Sequence, residues 1–294
     1  MIKIGRSRFI PDWAVSLDAV VLTKQASNAA SRSRRAVLAF SFGAFVAPAL
    51  VKPSAAGESV IRDDLRRHFE KYGVNGTFVL LEVDDERMTL VNPRRAEERF
   101  VPASTFKIPN SVIALDTGVV RDENEIIPYG GKPQIVKAWE KDMSMREALP
   151  VSNVPVYQEL ARRIGLERYR IWLARLDYGN REVGSVVDRF WLDGPLKISA
   201  VEQVRFVTRL AQGKLDASAR AQSIVRDILR LEETGGATIY AKTGWAQEIG
   251  WWTGWVERNG KVFAFSLNMP LAKMEDAPKR IEIGKALLSE LGVL

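Results

Sequence analysis

The chain has 294 residues, no cysteine and one histidine, His68. These counts exclude disulfides, thiolate zinc or iron–sulfur sites, a cysteine nucleophile and any site needing two histidines of one chain; a Ser-His-Asp triad would have to use His68. The formal net charge of +7, read whole, suggests nucleic acid or an acidic membrane surface as a partner.

The charge is not evenly spread. Residues 1–56 hold eight Lys/Arg against Asp12 and Asp18, a net of +6, and residues 57–294 carry only +1. Nucleic acid therefore drops out as a partner of the remaining chain. The basic segment has the order of an export signal. Arg32, Arg34 and Arg35 precede 16 uncharged, mostly apolar residues (36–51), and Ser54-Ala55-Ala56 offers a small-residue cleavage site. The apolar run is shorter than the ~20 residues of a spanning helix, and Pro48 interrupts it. A cleaved signal is expected, with a periplasmic destination and no stable membrane span afterwards. Residues 33–38 are similar in part to a twin-arginine export motif, with Val37 where a bulkier aromatic is usual; they also read as an ordinary basic n-region.

Residues 58–72 predict an amphipathic helix, with Val60, Leu65 and Phe69 along one side. Residues 77–83 and 88–91 flank Asp84-Asp85-Glu86-Arg87 and predict a hairpin. From 104 to 233 the patterns are mostly helical, as at 156–164, 168–176, 200–212 and 219–231. A strand follows at 238–243. Strands at 251–256 and 262–268 flank Asn259-Gly260, a strong hairpin signal, and 277–291 predicts a closing helix. Strands at both ends around a helical middle suggest an α/β fold with one sheet built from both termini. The expected divisions are 1–56 as the removed extension, 57–100 with 236–294 as the sheet domain, and 101–235 as an inserted helical domain.

The chemistry starts at Ser104. Pro102-Ala103-Ser104-Thr105-Phe106-Lys107 stands where a strand-and-turn region passes into a helix. A serine in a first helical turn lies near free backbone N–H groups, and a lysine three positions on shares its face. Serine needs a base, and with histidine effectively absent lysine is the remaining candidate. Burial beside Phe106, Ile108 and Val112 would lower its pKa from the usual value near 10.4. S-x-x-K by itself is weak, since about one is expected by chance in a chain of this length, and an N-cap serine with a solvated lysine would explain it.

Three further signals add weight. Lys242-Thr243-Gly244 ends a predicted strand and offers a positive charge, a hydroxyl and a glycine that lets a substrate approach the backbone. Ser152-Asn153-Val154 lies between helical segments, where a second serine could relay a proton; a helix cap before Pro155 is the plainer reading. Tyr178-Gly179-Asn180 falls in a loop and alone reads as a turn. Their chain order, S-x-x-K, S-x-V, Y-G-N and K-T-G, carries the argument.

With these motifs the sequence resembles a class D (oxacillinase-type) serine β-lactamase from about residue 60 to its end. Phe190-Trp191-Leu192 matches an F-W-L stretch of that family, and residues 251–256 resemble the strand after its K-T-G. The resemblance implies a two-lobed fold like that of penicillin-binding proteins: an antiparallel sheet flanked by helices, an inserted all-helical domain and a site at their interface. It implies β-lactam hydrolysis through a Ser104 acyl-enzyme. Lys107 would carry a carbamate (N6-carboxylysine) formed from CO2 or bicarbonate and serve as general base, and Trp191 would donate to it. Val154 and Leu192 would keep the pocket apolar. Ser152, helped by Lys242, would protonate the leaving nitrogen. The amides of Ser104 and Trp245 would form the oxyanion hole, with Gly244 beside them. Thr243 and Arg280 would hold the substrate carboxylate. Tyr178, Gly179 and Asn180 would be walls of the site. No metal is implied, the partners are small β-lactams, and the chain would be a monomer or homodimer. The short stretch 245–250 is expected to be a loop that borders the site and shapes substrate range. The competing expectations are a penicillin-sensing domain that acylates without efficient turnover, and a cell-wall transpeptidase or carboxypeptidase.

Overall fold

The computed structural model describes residues 57–294. The export segment expected over 1–56 lies outside the described residues. In chain order the elements are β1 (Ser59–Ile61), α1 (Arg67–Glu70), β2 (Thr77–Glu82), β3 (Arg87–Val91), α2 (Pro93–Ala96), α3 (Lys107–Asp116), α4 (Met145–Ala148), α5 (Val154–Ile164), α6 (Leu166–Arg175), α7 (Ala200–Ala211), α8 (Ala219–Ile228), β4 (Arg230–Thr234), β5 (Ala237–Ala246), β6 (Ile249–Arg258), β7 (Lys261–Pro270) and α9 (Lys279–Glu290). Two 3-10 turns matter below, Asp63–Arg66 and Ala103–Phe106.

The strands form one sheet in the order β1-β3-β2-β7-β6-β5-β4, so N-terminal and C-terminal strands share it. Its centre is the β2–β7 pairing, which sets Phe78 opposite Leu267 and Leu80 opposite Phe265. The β6–β7 hairpin closes through Asn259 and Gly260, both at positive φ (52° and 75°), as the sequence pattern requires of a two-residue turn. Side chains alternate across the sheet. Val79, Trp251 and Trp255 join the core under α3, α5, α7 and α8. Phe78, Leu80, Trp252 and Val256 join a second core under α1 and α9.

Serine and asparagine caps set where the inner helices begin. Asn153 Oδ1 accepts from the Val156 amide at the start of α5. Ser199 and Glu202 form a reciprocal capping box on α7, and Ser144 and Glu147 do the same on α4.

Three expectations are corrected. Residues 58–72 are not one helix: residues 59–61 form β1, parallel to β3, held by Met88 N to Glu58 O and Arg62 N to Leu90 O. β-branched Val60 and Ile61 favour that extended course, and it makes the sheet mixed rather than wholly antiparallel. The helix expected over 219–231 ends at Ile228, and 230–234 form the edge strand β4 on β5. The stretch 245–250 is not a loop. Pairing runs to Ala246 opposite Ile249, leaving Gln247 and Glu248 as the turn, both at positive φ (47° and 59°). Neither is the Gly or Asn that marks such a turn in a sequence.

Candidate active site

Ser104 lies in the 3-10 turn that leads into α3, and Lys107 is the first residue of α3. The three-residue spacing brings Lys107 Nζ to 2.9 Å from Ser104 Oγ. Ser104 is 8% exposed and Lys107 1%. Burial pushes the Lys107 pKa well below that of an ordinary lysine, and the positive charge of Lys242 pushes it further in the same direction. The Tyr157 ring faces Nζ at 5.2 Å. A neutral amine beside the serine hydroxyl is what this environment favours.

Ala103 immediately before Ser104 holds φ at 50°, a left-handed conformation that costs a non-glycine residue roughly 1–3 kcal/mol. Its amide donates to the Trp191 carbonyl at 3.0 Å, and the Trp191 ring stacks on Phe106 with centroids 5.3 Å apart. Trp191 is fully buried, and its indole Nε1 has no hydrogen-bond partner. An orphaned buried donor is costly.

Strand β5 forms the other wall. Lys242 Nζ donates to Ser152 Oγ at 3.1 Å and to the Thr243 carbonyl at 3.1 Å. Burial, and then the Arg280 charge, bring the Lys242 pKa down to about 7. Ser152 is at φ 56°, a further strained residue. The bare face of Gly244 turns toward the nucleophile's turn: a Cβ there would lie 2.9 Å from the Pro102 carbonyl oxygen and 3.3 Å from the Ser104 amide nitrogen. The glycine therefore lets two backbones meet, a different reason from the substrate approach expected. Arg280 on α9 donates Nη1 to the Gly244 carbonyl at 2.9 Å, its Nε is buried without a partner, and burial lowers its pKa to about 10.

A buried serine with a desolvated lysine, a second serine with a second lysine, and a glycine-edged strand beside them invite comparison with known proteins. A family model described as the penicillin binding protein transpeptidase domain matches residues 71–289. Beta-lactamase OXA-48 of Klebsiella pneumoniae is 40% identical over 258 residues, covering 86% of this chain and 97% of that protein. Beta-lactamase OXA-19 of Pseudomonas aeruginosa is 36% identical over 261 residues, covering 86% of this chain and 98% of that protein. Among solved structures, FUS-1 (OXA-85), a class D beta-lactamase from Fusobacterium nucleatum subsp. polymorphum, matches with a TM-score of 0.77 and 40% identity over 79% of this chain and 99% of that chain. The chain belongs to the class D β-lactamase family.

Several residues expected from the class D resemblance come together: Ser104 with Lys107, Ser152 with Lys242 and Thr243, and Gly244 against Ser104 with Arg280 on its carbonyl. Val154 opens α5 two residues after Ser152, and Leu192 follows Trp191; both are partly buried. The side chain of Trp245 is engaged elsewhere, Nε1 donating to the Leu271 carbonyl at 2.8 Å. Tyr178 is not a wall. It is fully buried behind the nucleophile's turn, with its ring edge-on to Phe106. Asn180 anchors its own loop, donating to the Pro195 carbonyl. His68 lies away from these groups, paired with Glu290. Among the described residues no group of three or more His, Asp or Glu could hold a metal ion, and no helix is long and apolar enough to cross a membrane. Sequence reasoning missed Tyr157 over the Lys107 amine, and Gln203 beneath Thr105. Both reach the site from helices distant in sequence, and no local pattern marks them.

Proposed function

We propose that this class D β-lactamase opens β-lactam rings through an ester on Ser104. The observation that carries the reading is the buried, deprotonation-prone Lys107 amine 2.9 Å from Ser104 Oγ. The proton of Ser104 passes toward the Lys107 side chain as Oγ attacks the lactam carbonyl carbon. The amides of Ser104 and Trp245 receive the developing oxyanion. The carbon–nitrogen bond then breaks, and the departing nitrogen takes a proton from Ser152, which Lys242 resupplies across 3.1 Å. Water attacks the ester, and Ser104 is regenerated. Thr243 and Arg280 hold the substrate carboxylate, and Val154 and Leu192 keep the pocket apolar.

Lys107 fits carbamylation by CO2. Only a neutral amine reacts with CO2, and burial favours that form. The Trp191 indole N–H is buried without an acceptor, which an anionic group on Lys107 would supply. As N6-carboxylysine the residue supplies the general base for acylation and deacylation. The chain is further proposed to act in the periplasm after loss of residues 1–56. N-terminal sequencing of exported protein tests this, and a mature chain still beginning near Met1 overturns it. The site would lie where the sheet meets the helical insertion over 101–235.

Turnover of a chromogenic β-lactam tests the function. Multiple turnovers are expected. Acylation without turnover would instead favour a penicillin-sensing domain or a cell-wall peptidase, and no acylation would remove all three readings.

A further inference from the structure

The turn that carries Ser104 is held from below by a buried polar pair that the chemistry described so far does not use. Thr105 Oγ1 donates to the Pro102 carbonyl at 2.7 Å, closing the turn across the left-handed Ala103. A hydroxyl has one proton, so Thr105 Oγ1 can only accept from its other neighbour. That neighbour is Gln203, 98 positions later on α7, whose Nε2 lies 2.7 Å away. Both residues are 0% exposed. The Tyr178 hydroxyl lies beside the same pair, facing both Thr105 and Gln203. The surrounding rings are Phe106, Tyr178 and Phe206. A buried polar cluster in an aromatic layer is expensive to keep for packing alone.

We infer that Gln203 is a positioning residue for the nucleophile: its amide N–H fixes the Thr105 hydroxyl on the Pro102 carbonyl and so holds the Ser104 turn in its strained, reactive shape. The inference rests on Ser104 being the acylated residue. Gln203 does not touch substrate. It acts through Thr105, and its effect belongs to acylation rather than to initial binding.

The test is rapid mixing of the protein with a chromogenic β-lactam, reading the acylation rate constant and the half-saturating concentration separately. Gln203→Met replaces the amide with an apolar group of similar length, and Thr105→Val does the same for the hydroxyl. Each is expected to slow acylation at least ~10-fold with half-saturation unchanged within twofold. The double variant is expected to be no slower than the worse single one, and Thr105→Ser is expected to stay within twofold of the parent. Gln203→Glu supplies a pH readout that packing would not. Its neutral acid can donate to Thr105, while its carboxylate would draw the hydroxyl proton away from Pro102. Burial raises the pKa of such a carboxyl. Acylation by this variant should therefore show a further fall as pH rises through that pKa, over and above the Lys242 limb that it shares with the parent. Parent-like acylation in Gln203→Met, single effects that multiply in the double variant, or a parent-like pH profile in Gln203→Glu would each overturn the inference. A parent that forms no adduct on Ser104 would instead overturn the function on which the inference rests.

Discussion

On the sheet face covered by α3 and α7, Lys107 and Lys242 are buried, and burial pushes both pKa values down. On the face covered by α1 and α9, charged groups pair at the rim, and Arg280 on α9 is the desolvated exception, held on the Gly244 carbonyl. At that rim Lys279 meets Asp276, which pushes its pKa up, and His68 and Arg67 meet Glu290. The same residue type titrates in opposite directions in one molecule. The second face is an apolar core of Phe78, Trp252, Phe265 and Leu287, with a buried Trp252 indole N–H that has no partner. The first face holds two desolvated amines that touch serine hydroxyls, with left-handed Ala103 and Ser152 beside them. Orphaned donors and left-handed residues occur elsewhere in the molecule too; the two desolvated amines, each within 3.1 Å of a serine hydroxyl, are what mark the first face as the place of chemistry.

The contrast is tested most severely by removing a buried amine. Lys107→Met is expected to lower β-lactam turnover at least ~10³-fold and yet to raise the melting temperature by a few degrees, because an apolar chain replaces a desolvated base. Calorimetry beside steady-state kinetics checks both, and a destabilised variant would contradict the account. Lys242→Ala is expected to cost about 10²-fold in kcat/KM, since it removes the proton supply to Ser152. The pH profile of kcat/KM should be bell-shaped. The neutral form of Lys107 is present above its lowered pKa and is lost as pH falls through it. The charged form of Lys242 is lost as pH rises past about 7, giving the alkaline limb. Stripping bicarbonate should depress the rate reversibly, and restoring it should recover the rate.

The smallest effect belongs to the other face. His68→Ala is expected to leave kinetics unchanged and to shift the melting temperature by no more than roughly 3 °C. The His68 contact holds the Glu290 carboxyl below the usual range. The stability it contributes is therefore present above the unfolded carboxyl pKa and lost as pH falls through the folded one, so the difference between variant and parent should vanish in acid.

What the sequence makes legible is what is local. Ser104 and Lys107 are one helical turn apart, and Asn259-Gly260 specifies its own turn, so both are readable from spacing. Strand β1 is three residues long and exists because β3 offers it a parallel edge. β4 is a charged edge strand, Arg-Leu-Glu-Glu-Thr, whose helix-favouring residues mask its pairing with β5. The turn at Gln247 and Glu248 takes its left-handed backbone from the β5–β6 pairing around it, without a residue type that announces it. Gln203 and Tyr157 look like ordinary helix residues until folding brings them under Thr105 and over Lys107.

The most direct measurement is quench-flow mass spectrometry after mixing with a β-lactam, comparing the parent with Lys107→Ala. One adduct on Ser104 should form and decay in the parent; in the variant it should form far more slowly and, once formed, persist. An adduct on another residue, or normal decay without the Lys107 amine, would contradict the assignment of nucleophile and base.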